Sequence, residues 1–343
     1  MENNSDTSRG ADIQAPLRFI APCYQNRSYY DQAPVNYHRA FETDDKFLPS
    51  DKPNLIDDFN QIIDIYEKKD DDDDSLNYKM KVAEVIGHIV EWIKDYQKAN
   101  SSIKGFCVGV SGGIDSAVTS TLCAETGLPI LLLEMPIHQA KDQVSRAREH
   151  INWLKEQYLD KVQSYEIDLT QTFDVIKTTL THMQENKETE LALANTRSRL
   201  RMVTLYYYAQ LNGYVVVGTG NKVEDFGVGF FTKYGDGGVD ISPIADLMKS
   251  EVRAVARKLG IIQSIIDAPP TDGLFGDSRT DEDQIGATYD ELEWAMNYID
   301  QKSEQILTER QKEVIGIYEQ RQKVNHHKMV QIPTCILPAH LKT

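Results

Sequence analysis

Four short apolar segments, separated by stretches with helical periodicity, place the strongest limit on how this chain folds. The segments lie between residues 105 and 220 and read GFCVGV, LPILLLEMP, KVQSYEIDL and YVVVGTG. Between them, apolar residues recur every three or four positions, which is the spacing of one helix face. Strands that are apolar on both faces and alternate with helices are typical of a parallel sheet. We therefore predict an α/β fold with a doubly wound, open parallel sheet and helices on both faces.

The chain divides into two parts by composition. The first 79 residues are polar with little periodicity, and they include five consecutive acids, Asp70 to Asp74. Such a run is typical of a solvated segment. We predict an N-terminal extension over residues 1–79, partly disordered or irregular, and an α/β domain over residues 80–343.

The charge of the chain argues against nucleic acid as its main partner. The formal net charge is -16, which repels phosphate backbones over long range. A small anion can still bind where backbone N–H groups cluster. The sequence has no apolar run of about 18 residues, no signal-peptide pattern and no C-x-x-C pair. We expect a cytoplasmic protein that binds neither nucleic acid nor a membrane.

The glycine-rich segment after the first predicted strand is typical of a phosphate-binding loop. It reads SGGIDS, from Ser111 to Ser116. Ligands of open α/β sheets bind at the carboxyl ends of the strands, and two glycines allow a sharp turn whose N–H groups can hold an anion. Asp115 cannot bind phosphate directly, but it can hold Mg²⁺ that does. The same acid and serines could instead serve only as a helix cap.

The SGGIDS segment resembles the S-G-G-x-D-S loop of the ATP-pyrophosphatase superfamily, which has the adenine nucleotide α-hydrolase-like fold. The resemblance implies that ATP is cleaved between its α and β phosphates. AMP is then transferred to an oxygen of the substrate, and pyrophosphate is released. The ATP-binding residues that we predict are Gly109, Ser111, Gly112, Gly113, Asp115, Ser116, Thr219 and Lys249.

A second region narrows the resemblance to one family. Residues 215–252 read VVVGTGNKVEDFGVGFFTKYGDGGVDISPIADLMKSEV and look like the signature region of the NAD synthetases. The helix NTRSRLRMVTLYYYA, the loop APPTDGLFGDSRTDEDQIG and the pair His327-Lys328 also resemble that family. The similarity extends over about residues 80–335 and leaves the first 80 unmatched.

The resemblance implies a specific reaction. The carboxylate of nicotinic acid adenine dinucleotide (deamido-NAD) attacks the α-phosphate of ATP, and ammonia then displaces AMP to give NAD. The same resemblance implies a homodimer and assigns three groups of residues. The predicted catalytic residues are Asp115, Lys249 and Asp240. The predicted Mg²⁺ ligands are Asp115 and Glu224. The predicted deamido-NAD-binding residues are Arg199, Lys233, Asp240, His327 and Lys328, the last two in a C-terminal segment expected to close over the site as a clamp.

The N-terminal segment before residue 80 bears on the choice of nitrogen donor. Glutamine-using relatives carry a fused glutaminase domain with its own catalytic cysteine. The segment before residue 80 is too short and too polar for such a domain, since domains typically need about 100 residues. We therefore expect free ammonia as the donor.

Several assignments stay open at this point. Glu224 could instead be an ordinary acid at the start of a helix. An arginine on a helix is most often solvated, so Arg199 and Arg201 could each lack a role in binding. Asp240 could help to deprotonate ammonium. Glu134 to Ile137 depart from the Arg-x-Pro pattern that many relatives have near the adenine. A related synthetase that acts on a different carboxylate, or a non-catalytic nucleotide sensor, would share the loop.

Overall fold

Four parallel strands form the centre of the fold. They are β1 (Gly105–Gly109), β2 (Ile130–Glu134), β3 (Val162–Glu166) and β4 (Tyr214–Val216), in the spatial order β3-β2-β1-β4. The computed structural model describes residues 80–180, 186–275, 279–301 and 306–342. The predicted N-terminal extension lies outside the described residues.

Helices connect the strands and follow them. The α-helices of the described residues are α1 (Val82–Ala99), α2 (Ile114–Glu125), α3 (Lys141–Tyr158), α4 (Thr170–Leu180), α5 (Lys187–Asn212), α6 (Lys249–Leu259), α7 (Gln263–Ile266), α8 (Asp281–Ile285), α9 (Tyr289–Gln301) and α10 (Glu309–Met329). A π-helical turn covers Val223–Val228, and short 3-10 helices cover Leu159–Lys161 and Ala339–Leu341. None of these helices is long and apolar enough to cross a membrane.

The sheet is covered on both faces, because successive strand residues point to opposite sides. Phe106 and Val108 of β1 pack in one core with α1, α2, α3 and α6. Cys107 of the same strand packs in another core with α4 and α5. This confirms the predicted doubly wound sheet. The prediction was wrong for β3, where only Val162 is buried. β3 lies at one edge of the sheet and is covered less completely than its neighbour β2, which is buried throughout.

The strand order determines where a ligand crevice opens. The chain moves outward from β1 to β2 and β3, and then returns to place β4 on the other side of β1. The segments that leave β1 and β4 therefore diverge at their carboxyl ends, which is the usual ligand position in such sheets. The SGGIDS loop follows β1 and Thr219 follows β4, so both lie where these two segments diverge.

A third apolar cluster lies beyond the sheet and is built from α9, α10 and the π-helical turn. Its buried residues include Val228, Leu292, Val314 and Tyr318. The cluster packs the last long helix against the segment that follows β4. It therefore brings residues from near the end of the chain to the crevice.

His150 is a buried imidazole whose protonation opposes folding. Its side chain is fully buried between α2 and α3, with Nε2 2.9 Å from Ser120 Oγ. Burial lowers the pKa of His150 from 6.5 to about 4. The unfolded chain therefore takes up this proton more readily. Its stabilising contribution is complete above the unfolded pKa and is lost as pH falls towards the folded pKa.

We expect His150→Gln to reduce the acid sensitivity of the fold. Between about pH 7.5 and about pH 5, the wild type should lose about 2 kcal/mol more of its free energy of unfolding than the variant. Urea unfolding at both pH values measures this difference. Equal losses in the two proteins would contradict the prediction.

Candidate active site

A cavity of about 710 Å³ opens at the carboxyl ends of β1 and β4. Its walls include the loop after β1, the segment after β4, the start of α6 and the loop that precedes α8, together with residues of α3, α5 and α10. It contains every residue predicted to bind ATP, namely Gly109, Ser111, Gly112, Gly113, Asp115, Ser116, Thr219 and Lys249. Parallel strands bring these residues together because their carboxyl ends meet at one edge.

The SGGIDS loop turns tightly between β1 and α2. Gly112 has a φ of 81°, and a Cβ there would collide with the backbone carbonyl oxygen of Gln143. Ser116 Oγ donates to the carbonyl oxygen of Gly113 at 2.9 Å and lies 3.1 Å from Ser111 Oγ. The Ser116 hydroxyl therefore holds the loop in shape. No side chain caps the start of α2, so a helix cap does not account for the serines and the acid.

Lys249 lies between two carboxylates that the topology brings together. Its Nζ is 2.5 Å from Asp115 Oδ2 and 3.0 Å from Glu224 Oε1. Burial alone would lower the pKa of Lys249, but the two carboxylates outweigh it and the pKa is raised. Burial raises the pKa of Glu224, which Lys249 opposes. The buried ammonium therefore stays charged and neutralises part of the cluster.

Asn221 connects the two carboxylates, and the sequence analysis assigned it no role. Its side chain is fully buried. Its Nδ2 donates to Asp115 Oδ1 at 3.1 Å, and its Oδ1 accepts the backbone N–H of Glu224 at 3.1 Å. The signal was present in the motif GTGNKVE, where Asn221 precedes Glu224 by three residues. A short polar residue before a turn suits this side chain-to-backbone bond.

Tyr289 and Asp281 complete the floor of the charge cluster. The Tyr289 hydroxyl donates to Glu224 Oε1 at 2.5 Å and lies 3.3 Å from Asp281 Oδ2. The Tyr289 ring centre is 4.7 Å from Lys249 Nζ. Burial, and then the Glu224 carboxylate, raise the pKa of Asp281 to about 7. The sequence carries no signal for this contact, because Tyr289 lies far along the chain from Glu224 and follows an ordinary amphipathic pattern.

Arg201 supplies a second cation to the cavity wall. Its Nε donates to the carbonyl oxygen of Met135 at 3.0 Å, and its Nη2 donates to Gln139 Oε1 at 2.9 Å. Among the described residues, no carboxylate lies within ion-pair distance of it. Burial lowers the pKa of Arg201 to about 10, so it remains charged near neutral pH. A desolvated cation without a paired acid favours an anionic ligand.

The predicted deamido-NAD residues do not meet in the cavity of one chain. Of the five, only Lys328 lines it. Lys328 and His327 lie in the last turn of α10. Lys328 Nζ donates to the carbonyl oxygens of Gly229 at 2.5 Å and Phe231 at 2.7 Å. The expected clamp is therefore a helix end that is bonded to the segment after β4.

The other four residues lie outside this cavity. Lys233 Nζ donates to the carbonyl oxygen of His327 at 2.6 Å, and Arg199 Nη2 donates to that of Lys233 at 3.3 Å. The Asp240 carboxylate accepts the Val216 N–H at 2.8 Å and the Tyr206 hydroxyl at 3.0 Å. Its contacts support the end of β4 and do not reach the cavity.

Asp115 and Glu224 fit the ligand chemistry of Mg²⁺. The ion is usually held by one or two carboxylates, with substrate phosphates and water supplying the other ligands. A cation, Lys249 Nζ, already lies between these two acids. Within the described ranges, no group of three or more His, Cys, Asp or Glu side chains could hold a metal ion. The donor set therefore suits a metal that arrives with a phosphate ligand.

Comparison with known proteins decides the family. Residues 85–332 match the family model described as NAD synthase. The chain belongs to the NAD synthase family. It is a ligase of NAD biosynthesis that binds ATP, as the motifs predicted. Membership also confirms the predicted nucleotide α-hydrolase-like fold.

Three known proteins are similar to this chain. The chain is 40% identical over 217 residues to the NH(3)-dependent NAD(+) synthetase of Mesoplasma florum, covering 62% of this chain and 84% of that protein. It is 36% identical to the enzyme of the same name from Finegoldia magna, covering 68% and 92%. The solved structure of NMN synthetase from Francisella tularensis matches with a TM-score of 0.65 and 31% identity, covering 76% of this chain and all of that one.

Proposed function

We propose that this chain is an ammonia-dependent NAD synthetase that amidates deamido-NAD through an adenylated carboxylate and releases AMP and pyrophosphate. The observation that carries the proposal is the cluster at the strand ends, where Lys249 lies between Asp115 and Glu224. The Mesoplasma florum and Finegoldia magna relatives support ammonia as the nitrogen donor, since most of each of those proteins is matched. We place the reaction in the cytoplasm, where ATP is made and used.

The SGGIDS loop and the cations around it would bind the triphosphate. Backbone N–H groups at the start of α2 would face the phosphates, and Thr219 lines the same cavity. Asp115 and Glu224 would hold Mg²⁺, which supplies charge neutralisation on the phosphates. Lys249 stabilises the negative charge that moves onto pyrophosphate as it leaves.

Arg201 would orient an anionic group of the second substrate. The nicotinate carboxylate must approach the α-phosphate although both are negative, and an unpaired guanidinium on the cavity wall offsets that repulsion. After adenylation, ammonia attacks the activated carbonyl carbon and AMP leaves, so no protein nucleophile is needed. The Asp240 carboxylate is bonded to the Val216 N–H and the Tyr206 hydroxyl. We therefore assign Asp240 a role in supporting β4 and no proton-transfer step.

A homodimer would complete the dinucleotide site. Arg199, Lys233 and His327 lie outside the single-chain cavity. On α5, Val203, Tyr207 and Leu211 are each more than half exposed and follow Arg199 at intervals of four residues. An exposed apolar stripe of this kind marks an interaction surface. A second copy packed on this face of α5 would lie next to Arg199, Lys233 and His327 and would enclose them in a binding site.

We expect Tyr207→Glu to separate the dimer into monomers and to raise KM for deamido-NAD at least about tenfold, since a charge would enter an apolar contact. ATP binding should stay unchanged. Size-exclusion chromatography with light scattering gives the oligomeric state, and Ile306→Glu, in an exposed loop before α10, is the matched control. A wild-type monomer with full activity would contradict the prediction.

A second candidate substrate is the mononucleotide, nicotinic acid mononucleotide. Two observations favour it: the match to NMN synthetase over the full length of that chain, and a cavity lined by only one of the predicted dinucleotide residues. The reaction at the carboxylate would be the same. The smaller substrate would require fewer protein contacts, because it lacks the second nucleotide of deamido-NAD.

The test supplies the purified chain with ATP, Mg²⁺ and ammonium, and with either deamido-NAD or the mononucleotide. Products are identified by mass spectrometry and pyrophosphate is quantified. We expect NAD and AMP in equal amounts, and a kcat/KM for deamido-NAD at least about tenfold above that for the mononucleotide, or about 1.4 kcal/mol. The reverse preference would establish the second candidate. Efficient use of glutamine by the pure chain, or pyrophosphate release without any acceptor, would overturn the proposal.

A further inference from the structure

Tyr289 lies beneath the charge cluster and touches each part of its floor. Its side chain is fully buried at the start of α9. The hydroxyl is 2.5 Å from Glu224 Oε1 and 3.3 Å from Asp281 Oδ2, and the ring centre is 4.7 Å from Lys249 Nζ. A buried hydroxyl costs stability unless it is bonded, so a phenylalanine would suit a purely apolar core better.

The direction of the hydrogen bonds on Glu224 is informative. A phenol has one proton to donate, and the shorter contact assigns it to Glu224 Oε1. Lys249 Nζ also contacts Oε1, at 3.0 Å. Both donors therefore converge on one oxygen. Within the described part of the chain, no donor contacts Oε2, and the Glu224 side chain is 17% exposed and lines the cavity.

The two ends of this bond belong to one packed unit. Tyr289 and the π-helical turn that carries Glu224 share the third apolar cluster, in which Val223 and Val228 are fully buried. Tyr289 cannot change its position without disturbing the turn. The contact therefore has the rigidity that an orienting bond requires.

We propose that Tyr289 is a positioning residue that holds Glu224 Oε1 so that Oε2 is presented to the divalent cation of the nucleotide. The inference rests on the proposed function for the Mg²⁺-ATP site. Hydrogen bonds of this kind to metal-binding carboxylates typically change metal affinity by about 10–100-fold. Tyr289 acts through Glu224 and touches no reacting atom.

The test measures metal binding without turnover. Mn²⁺ is titrated into the full chain with α,β-methylene-ATP, and free Mn²⁺ is followed by electron paramagnetic resonance. We expect Tyr289→Phe to raise the Kd for Mn²⁺ at least about tenfold. The Mn²⁺ concentration for half-maximal pyrophosphate release should rise by a similar factor, with kcat at saturating metal within about threefold.

The matched control is Tyr318→Phe. Tyr318 is buried in the same apolar cluster, but its hydroxyl accepts from Gln322 Nε2 at 2.9 Å, away from the charge cluster. It should bind Mn²⁺ like the wild type. Equal losses in the two variants would assign the effect to packing and overturn the proposal. A Kd for Tyr289→Phe within about twofold of the wild type would do the same.

Two further variants test the route of the effect. On a Glu224→Gln background, Tyr289→Phe should cost no additional metal affinity, because the group it acts through has lost its charge. Additive losses would overturn the proposal. Asp281→Asn removes a charge from the floor of the cluster but keeps the hydroxyl and its bond to Glu224, so its loss of metal affinity should stay well below about tenfold. A loss there as large as that expected for Tyr289→Phe would identify Asp281 as the partner and reject Glu224.

The outcomes also separate this inference from the proposed function. Absence of Mn²⁺ binding by the wild type would overturn the metal site and the role of Tyr289 together. Tight Mn²⁺ binding without NAD formation would overturn the proposed reaction and support the metal site.

Discussion

Replacing Asp115 by asparagine should lower the rate of pyrophosphate release by at least about a thousandfold, or about 4 kcal/mol. The Asp115 carboxylate accepts hydrogen bonds from Lys249 Nζ at 2.5 Å and from Asn221 Nδ2 at 3.1 Å. An amide has nearly the same size but removes the negative charge that both Lys249 and a divalent cation require. Pyrophosphate release at saturating ATP and deamido-NAD measures the effect.

Asp246→Asn is the matched control for this change. Asp246 is 70% exposed on its side chain and pairs with Lys222 at 2.9 Å. A surface pair of this type is worth at most about 1 kcal/mol, so the control should retain near wild-type activity. Activity of Asp115→Asn within about tenfold of the wild type would show that this carboxylate is not part of the catalytic machinery.

Gly112→Ala should reduce ATP affinity at least about a hundredfold, or about 2.7 kcal/mol. The φ of 81° by itself costs about 1–2 kcal/mol for a residue with a side chain. The new Cβ would also collide with the carbonyl oxygen of Gln143 and lie 3.0 Å from the backbone nitrogen of Ala147. Both are backbone atoms of α3, so the loop itself must move. Calorimetric titration with ATP measures the loss.

Gly127→Ala is the control that separates the backbone strain of a positive φ from the collision of the new Cβ in Gly112→Ala. Gly127 has a φ of 70°, but a Cβ there would meet no atom within 4 Å. It should lose about 1 kcal/mol of stability and keep its ATP affinity. Wild-type ATP affinity in Gly112→Ala would contradict the assignment of the loop to the triphosphate.

The fold, and the meeting of the predicted ATP-site residues in one cavity, depend on local patterns and could be predicted from them. The helical periods and apolar segments predicted the parallel sheet, and SGGIDS lies directly after β1. Thr219 follows β4, and parallel strands necessarily bring these two segments to one edge. Even Lys249, much later in the chain, was predicted from a linear motif.

The residues that the sequence left without a role act through contacts that no spacing rule encodes. Asn221 stands inside a recognised motif, yet its link from Asp115 to Glu224 appears only when β1 and β4 are adjacent. Tyr289 reaches Glu224 because α9 packs on the π-helical turn. Arg199, Lys233 and Asp240 occur in motifs as clear as those of the ATP site, yet they lie outside the cavity of one chain.

The sequence by itself determined the residue types of the candidate ATP site: a glycine-rich loop without lysine, an acid in it, and cations supplied from other segments. These follow from residue types and their order, because backbone turns, hydrogen-bond donors and charges are local properties. Only the tertiary structure decided which atom of each side chain faces which partner. It placed Lys249 between two acids and directed two donors to one oxygen of Glu224, because those arrangements depend on how helices from distant parts of the chain pack around the strand ends.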